Sequence, residues 1–186
     1  MSFLPISPAD DLSDEARSER AQLIASHGRI TNLRATLLGH VPSFRAYLEW
    51  YTLKDELVPM LGERGVTLLS YAISDENGCA SCALFFQRAL EESGEDPAPS
   101  GERERLLADF GRQVARDQHG VPDAMYDALA AHFTPAQRVL LVAYAGLMVA
   151  TNLVNTVGRV PIDPELHRSS GSEPELSMDS LETGAE

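Results

Sequence analysis

Leu68-Leu69-Ser70-Tyr71-Ala72-Ile73-Ser74-Asp75-Glu76-Asn77-Gly78-Cys79-Ala80-Ser81-Cys82 is the stretch that decides the fold. From Val66 to Glu76 the sequence is almost continuously apolar, which a short buried strand would also satisfy. Leu68, Leu69, Ala72 and Ile73 nevertheless fall at i, i+1, i+4 and i+5, the stripe of a single helical face. The neighbouring segments are helical in rhythm, so we read 66–76 as a buried helix. Asn77-Gly78 then supplies a sharp turn, and a new helix runs from about Cys79 to Ser93.

Working outward, Gly28, Gly39-His40-Val41-Pro42, the Gly94–Gly101 stretch, Gly120-Val121-Pro122 and Thr134-Pro135 cut the chain into helix-length pieces. Segment 13–27 opens with Ser13 as N-cap and with Asp14 and Glu15 in its first turn. Ile30, Leu33 and Leu37 recur at helical spacing in 29–38, as do Phe44, Tyr47, Leu48 and Tyr51 in 42–54. Helices are expected at 102–118 and 122–132. A long one follows, capped by Thr134 with Pro135 at its first position and continuing to about Val157. No alternating strand pattern, glycine-rich phosphate loop or internal repeat is visible. The expectation is an all-α bundle of about six to eight helices. It divides into an N-terminal helical arm (1–28), a main domain (29–168) and an acidic, disordered tail (169–186) rich in Ser, Glu and Gly.

Composition narrows the function. A hydrophobic content of 44% supports a real core, and 28 acidic against 15 basic residues give a net charge of −13. That charge repels phosphate backbones and anionic lipid, so neither nucleic acid nor a membrane is an expected partner. The start, Met1-Ser2-Phe3-Leu4-Pro5, has no basic region and no apolar run of signal-peptide length. The apolar stretch Val139–Val149 falls short of a membrane span. A soluble, cytoplasmic protein is expected.

Both cysteines of the chain lie in Cys79-Ala80-Ser81-Cys82. In a reducing compartment such a pair points to redox or metal work more than to a structural staple. At the first turn of a helix the two sulfurs share nearly one face and can close a disulfide after small rearrangement. Free N–H groups and the helix dipole favour a thiolate there. Zinc would need two ligands from His27, His40, His119, His132 and His167, none of which pair at a zinc-finger spacing. A thioredoxin fold would need strands around the motif. Two inert cysteines on a core face remain the bland alternative. No metal and no cofactor is called for. Glu76 and Asp75 stand close enough in sequence to relay protons, but their run reads more simply as a solvated turn. His119 reads as a C-terminal cap, His40 and His132 as structural, and Leu84, Phe85, Phe86 and Leu90 as core. Trp50, Tyr47 and Tyr51 read as packing between helices or subunits.

The chain resembles the carboxymuconolactone decarboxylase-like proteins, and the alkylhydroperoxidase D branch within them. The resemblance rests on Arg29-Ile30-Thr31-Asn32-Leu33 followed by His40-Val41-Pro42, and on the apolar helix running into Asn77-Gly78-Cys79-Ala80-Ser81-Cys82. Phe133-Thr134-Pro135-Ala136-Gln137 through Asn152 and Asn155 is similar to the family's final long helix. The match covers roughly 29–160, and its specific motif is the NGCxxC segment.

The resemblance implies an all-α fold, a homo-oligomer, and a dithiol peroxidase or disulfide reductase. Cys82 would attack a peroxide or small disulfide, Cys79 would resolve it, and an external thiol would restore the pair. Two positions depart from the family. Its relay glutamate, twelve residues before the first cysteine, is Thr67 here, and its relay histidine, four after the second, is Phe86. Proton transfer by a positioned side chain contributes about 10²–10⁴-fold, so a weakened peroxidase is the expectation. The alternatives are a catalytically reduced member kept as an oligomeric binding or scaffold protein, and a lactone decarboxylase.

Overall fold

The computed structural model describes residues 2–94, 96 and 98–167. Among these, eight α-helices appear and no strand. They are α1 (Asp14–His27), α2 (Asn32–Leu37), α3 (Val41–Tyr51), α4 (Leu53–Glu76), α5 (Ala80–Glu92), α6 (Glu102–Arg116), α7 (Asp123–His132) and α8 (Pro135–Gly158). Single 3₁₀ turns at Ala9–Asp11 and Pro164–His167 flank them. The all-α expectation holds; the tail assigned to 169–186 lies outside the described residues.

Local chemistry sets the helix starts. Ser13 Oγ accepts the Ala16 N–H at 3.2 Å and Thr31 Oγ1 accepts that of Arg34 at 3.4 Å. Thr134 and Gln137 form a reciprocal box: Thr134 Oγ1 accepts the Gln137 N–H at 3.3 Å, and Gln137 Oε1 accepts the Thr134 N–H at 2.9 Å. A cap of this kind contributes about 1 kcal/mol. The buried segment 66–76 is helical as expected and lies in the second part of α4, whose first part begins at Leu53. Pro59 and Gly62 lie inside it, and the backbone bends at Gly62, where φ is 73°.

α4 is the central element, packed against α5, α6 and α8. Leu57, Leu69 and Ile73 of α4 meet Leu107 and Phe110 of α6 and Leu147 and Met148 of α8 in one core. Each side chain so buried stabilises by about 1.5–3 kcal/mol relative to exposure. Gly111 sets the α4–α6 distance: a Cβ there would lie 3.1 Å from the Leu69 carbonyl oxygen and 3.2 Å from the Ala72 Cβ. A smaller cluster joins Leu12, Ala16 and Leu23 to Leu38, Val41 and Phe44.

α8 is 24 residues long, and its most apolar 18-residue stretch has a mean hydropathy of 1.6, enough to cross a bilayer by length and composition. The long helix expected from Thr134 to about Val157 is present as α8, and the run Val139–Val149 is only part of its apolar length. Its buried face, from Leu141 through Tyr144, Met148 and Asn152 to Asn155, is committed to the bundle core.

Candidate active site

The thiol pair is positioned by the end of α4. The Gly78 N–H bonds the Asp75 carbonyl at 2.9 Å, and the Cys79 N–H bonds that of Ser74 at 2.9 Å. Those two bonds form a Schellman motif, which requires a left-handed residue at its corner. Gly78 supplies it, with φ at 65°. Cys79 is then at once the residue that closes α4 and the N-cap of α5.

Both cysteines are buried and reduced. The Cys79 sulfur accepts a hydrogen bond from the Cys82 thiol, together with backbone N–H groups of Cys82 and Ser81 and the hydroxyl of Thr156. These donors outweigh burial and lower the Cys79 pKa to about 6. Cys82 moves the other way. It gives its proton to the bond with Cys79, lies buried and faces the Cys79 charge, so its pKa rises far above the usual thiol range. The pair therefore releases one proton readily and a second with difficulty, and the first charge rests on Cys79 at the helix N-terminus.

Cys82 has one partner that opposes its shift. Asn155 Nδ2, on α8, donates to Cys82 Sγ at 3.1 Å, and the contact is buried. It ends a ladder of polar contacts between α8 and the elements facing it: Tyr144 with Ser70 at 2.8 Å, Ser74 with Asn152 at 3.2 Å, then Asn155 with Cys82. Asn155 Oδ1 and Asn152 Nδ2 are buried without a hydrogen-bond partner.

A cavity of about 720 Å³ opens beside Cys82. Its inner wall includes Tyr47, Tyr51, Phe86, Tyr144, Thr151 and Asn155, and Arg29, Arg34 and Lys54 are among its other lining residues. Cys82 lines it and Cys79 does not. Burial pushes the Tyr47, Tyr51 and Tyr144 hydroxyls above the usual phenol range, so all three stay protonated. Tyr47 and Tyr51 hydrogen-bond to each other, and the Arg34 guanidinium stands 5.8 Å over the Tyr51 ring.

Thr67 and Phe86 both line this cavity. The two positions that depart from the family relay thus face the same space as Cys82. Thr67 Oγ1 donates to the Glu63 carbonyl at 2.8 Å. Phe86 is 9% exposed and meets the Phe85 ring edge-on at 5.2 Å, so it is core and cavity wall together. Phe85 and Leu84, expected in the core, are 39% and 37% exposed, and Phe85 joins Phe86 in lining the cavity.

Glu76 is no relay: the Arg116 guanidinium holds it through two bonds at 2.8 and 3.1 Å and lowers its pKa. Neither Glu76 nor Asp75 is among the cavity-lining residues. His119 does not cap α6. The helix ends at Arg116, Gln113 Nε2 reaches the Asp117 carbonyl at 2.9 Å, and His119 is exposed beyond it. His40 occupies the N-cap position of α3, its Nδ1 2.8 Å from Ser43 Oγ, and His132 ends α7. Among the described residues, no group of three or more His, Cys, Asp or Glu side chains is placed to hold a metal ion.

Sequence reasoning overlooked Asn155, Thr151 and Tyr144 as site residues. A signal was available: Thr151, Asn152 and Asn155 continue the buried face of an apolar helix, where polar side chains are costly without a purpose.

No family model matches the chain, and no curated protein matches it. Solved structures do. An uncharacterized peroxidase-related protein from Silicibacter sp. TM1040 is 20% identical and superposes with a TM-score of 0.71 over 89% of this chain and 94% of that one. An uncharacterized peroxidase-related protein from Ralstonia eutropha JMP134, described as an alkylhydroperoxidase AhpD core, is 21% identical with a TM-score of 0.68 over the same shares. Identity at this level speaks for the fold. The chain, all-helical and aligned over most of its length, has the fold of the alkylhydroperoxidase D core.

Proposed function

We propose that this chain is a dithiol oxidoreductase of the alkylhydroperoxidase D kind, reducing organic hydroperoxides or small disulfides through Cys82 and Cys79. The observation that carries the reading is the unbridged, buried pair Cys79 and Cys82 at the start of α5, with Cys82 on the cavity wall and held by Asn155 at 3.1 Å. In the proposed cycle the Cys82 proton passes to Cys79, and the Cys82 thiolate attacks the terminal oxygen of ROOH. The O–O bond breaks, Cys82 becomes a sulfenic acid, and the alkoxide leaves as ROH. The Tyr47 and Tyr51 hydroxyls, on the wall of the same cavity, would donate that proton and be refilled from solvent. Cys79 then attacks the sulfenic sulfur, forming the disulfide and releasing water. A thiol reductant returns the pair to its starting state. Recycling of that kind suits a reducing compartment, which is why we place the protein in the cytoplasm.

The test is consumption of tert-butyl hydroperoxide in the presence of dithiothreitol. Turnover should vanish in Cys82→Ser, and Cys79→Ser, left to direct reduction of its sulfenic acid by dithiothreitol, should slow. Turnover that persists in Cys82→Ser would sink the reading.

An assembly role stands beside it. Val139, Val142, Leu153 and Val157 are 59–69% exposed on one face of α8, and Trp50, 43% exposed, lies 3.8 Å from where a Cβ on Gly146 would sit on that same face. Such an apolar stripe marks a protein contact, and we assign it to a second copy of this chain.

A further inference from the structure

We propose that Asn155 takes over the electrostatic part of the missing relay, holding the Cys82 sulfur with its amide N–H and receiving the hydroperoxide O–H on its amide oxygen. This rests on the peroxidase reading only for the second half of that statement. Three observations carry it. Asn155 Nδ2 reaches Cys82 Sγ at 3.1 Å. The residue is 6% exposed and lines the cavity from which a substrate would reach that sulfur. Its Oδ1 has no partner, although buried amide oxygens are nearly always bonded.

The placement makes little sense as packing. On the core face of α8, between Thr151 and Gly158, a leucine would stabilise more, whereas an amide with an orphaned acceptor costs stability. Local rules broken in this way mark functional positions. The amide group is planar, so the free oxygen sits beside the nitrogen that holds the sulfur. That oxygen is sealed from solvent, so a hydroperoxide whose terminal oxygen approaches Cys82 Sγ meets it through a small turn of the amide toward the cavity. The bond to Oδ1 would orient the O–O axis for attack, and the N–H would stabilise the thiolate that attacks. Unlike a glutamate and histidine, an amide does not titrate. It therefore holds the sulfur at every pH, and the pH dependence of the reaction is left to the two thiols.

The experiment isolates Cys82 in a Cys79→Ser background and titrates it by thiolate ultraviolet absorbance, with Asn155 intact, Asn155→Ala or Asn155→Asp. Loss of a hydrogen bond to a charged group predicts a rise in the Cys82 pKa of about one to two units in Asn155→Ala. Asn155→Asp should raise it further, since a carboxylate faces the thiolate. With Cys79 present, tert-butyl hydroperoxide turnover at fixed pH should fall by about ten- to a hundredfold in either variant. If Asn155→Ala does not fold, the near-isosteric Asn155→Asp carries the comparison. A Cys82 pKa unmoved in a folded variant would overturn the proposal. The titration reads the sulfur whether or not peroxide is consumed. A wild-type protein inert to hydroperoxide would therefore end the peroxidase reading and the oxygen's role, while the N–H's hold on Cys82 is decided separately.

Discussion

The backbone N–H of Cys79 donates to the carbonyl of Ser74 at 2.9 Å, so the residue that terminates the central helix also opens the helix carrying the second thiol. Gly78 makes that bond possible by turning left-handed at φ 65°. Placing a side chain there costs about 1–2 kcal/mol, and it would also move the Cys79 sulfur off its N–H donors.

Gly78→Val should therefore lower the denaturation midpoint without changing the slope, and raise the Cys79 pKa. Urea unfolding and thiolate titration on the same sample check both. A midpoint shift with an unaltered thiol would mean the corner and the sulfur are independent.

The thiol pair sets a pH dependence. With the Cys79 pKa lowered to about 6 and Cys82 pushed up, the reduced protein should titrate one thiolate near pH 6 and hold its partner protonated well into the alkaline range. The sign for stability follows from the depressed Cys79 value. Its contribution is complete above the ordinary thiol range near 9 and is lost as pH falls through about 6. Melting temperatures of the reduced wild type and of Cys79→Ser, measured between pH 5 and 9 (roughly the span of the linkage), should converge at the acidic end.

Restoring the family's relay is a third test. Thr67 and Phe86 share the cavity with Cys82, so Thr67→Glu with Phe86→His should raise peroxide turnover by about tenfold or more. Removing the Phe86 ring from its contact with Phe85 should lower stability by about 1–3 kcal/mol. Kinetics and melting of the single and double variants separate the two effects. Unchanged turnover in a folded double variant would mean that Asn155 and the tyrosines already supply what the relay would.

Assembly can be tested on α8. Val142→Glu with Leu153→Glu places two charges on the exposed stripe and should convert an oligomer to a 20.3 kDa monomer in light scattering, with little loss of monomer stability. A monomeric wild type would remove the assignment of that face to a second copy.

How much of this was legible in the sequence follows from how local each cause is. Ser13, Thr134 with Gln137, and Asn77-Gly78 act within a few residues, so their caps and turns could be read directly. The first half of α4 goes unread: Pro59 and Gly62 interrupt its apolar rhythm, and the backbone does leave the helix at Gly62. The cysteine pair was visible from its spacing. Its partner Asn155 lies 73 residues away; its place on the apolar face of α8 marks it as unusual, but only the packing of α8 against α5 shows which group it serves. The crowding of Tyr47, Trp50 and Tyr51 suggested a subunit contact, yet the two tyrosines line the cavity and only Trp50 is left strongly exposed.

The seamless joint between α4 and α5 also says where the chain can be altered by a protein engineer. Since one residue serves both helices, an insertion of even a single amino acid between Asn77 and Cys79 would destroy two terminations at once. The connection after α6 has the opposite character: Asp117, Gln118, His119 and Gly120 are exposed, and no second helix begins until Asp123. A fluorescent reporter, an affinity tag or a break for circular permutation belongs between Gln118 and His119, where the graft can be carried without disturbing either sulfur.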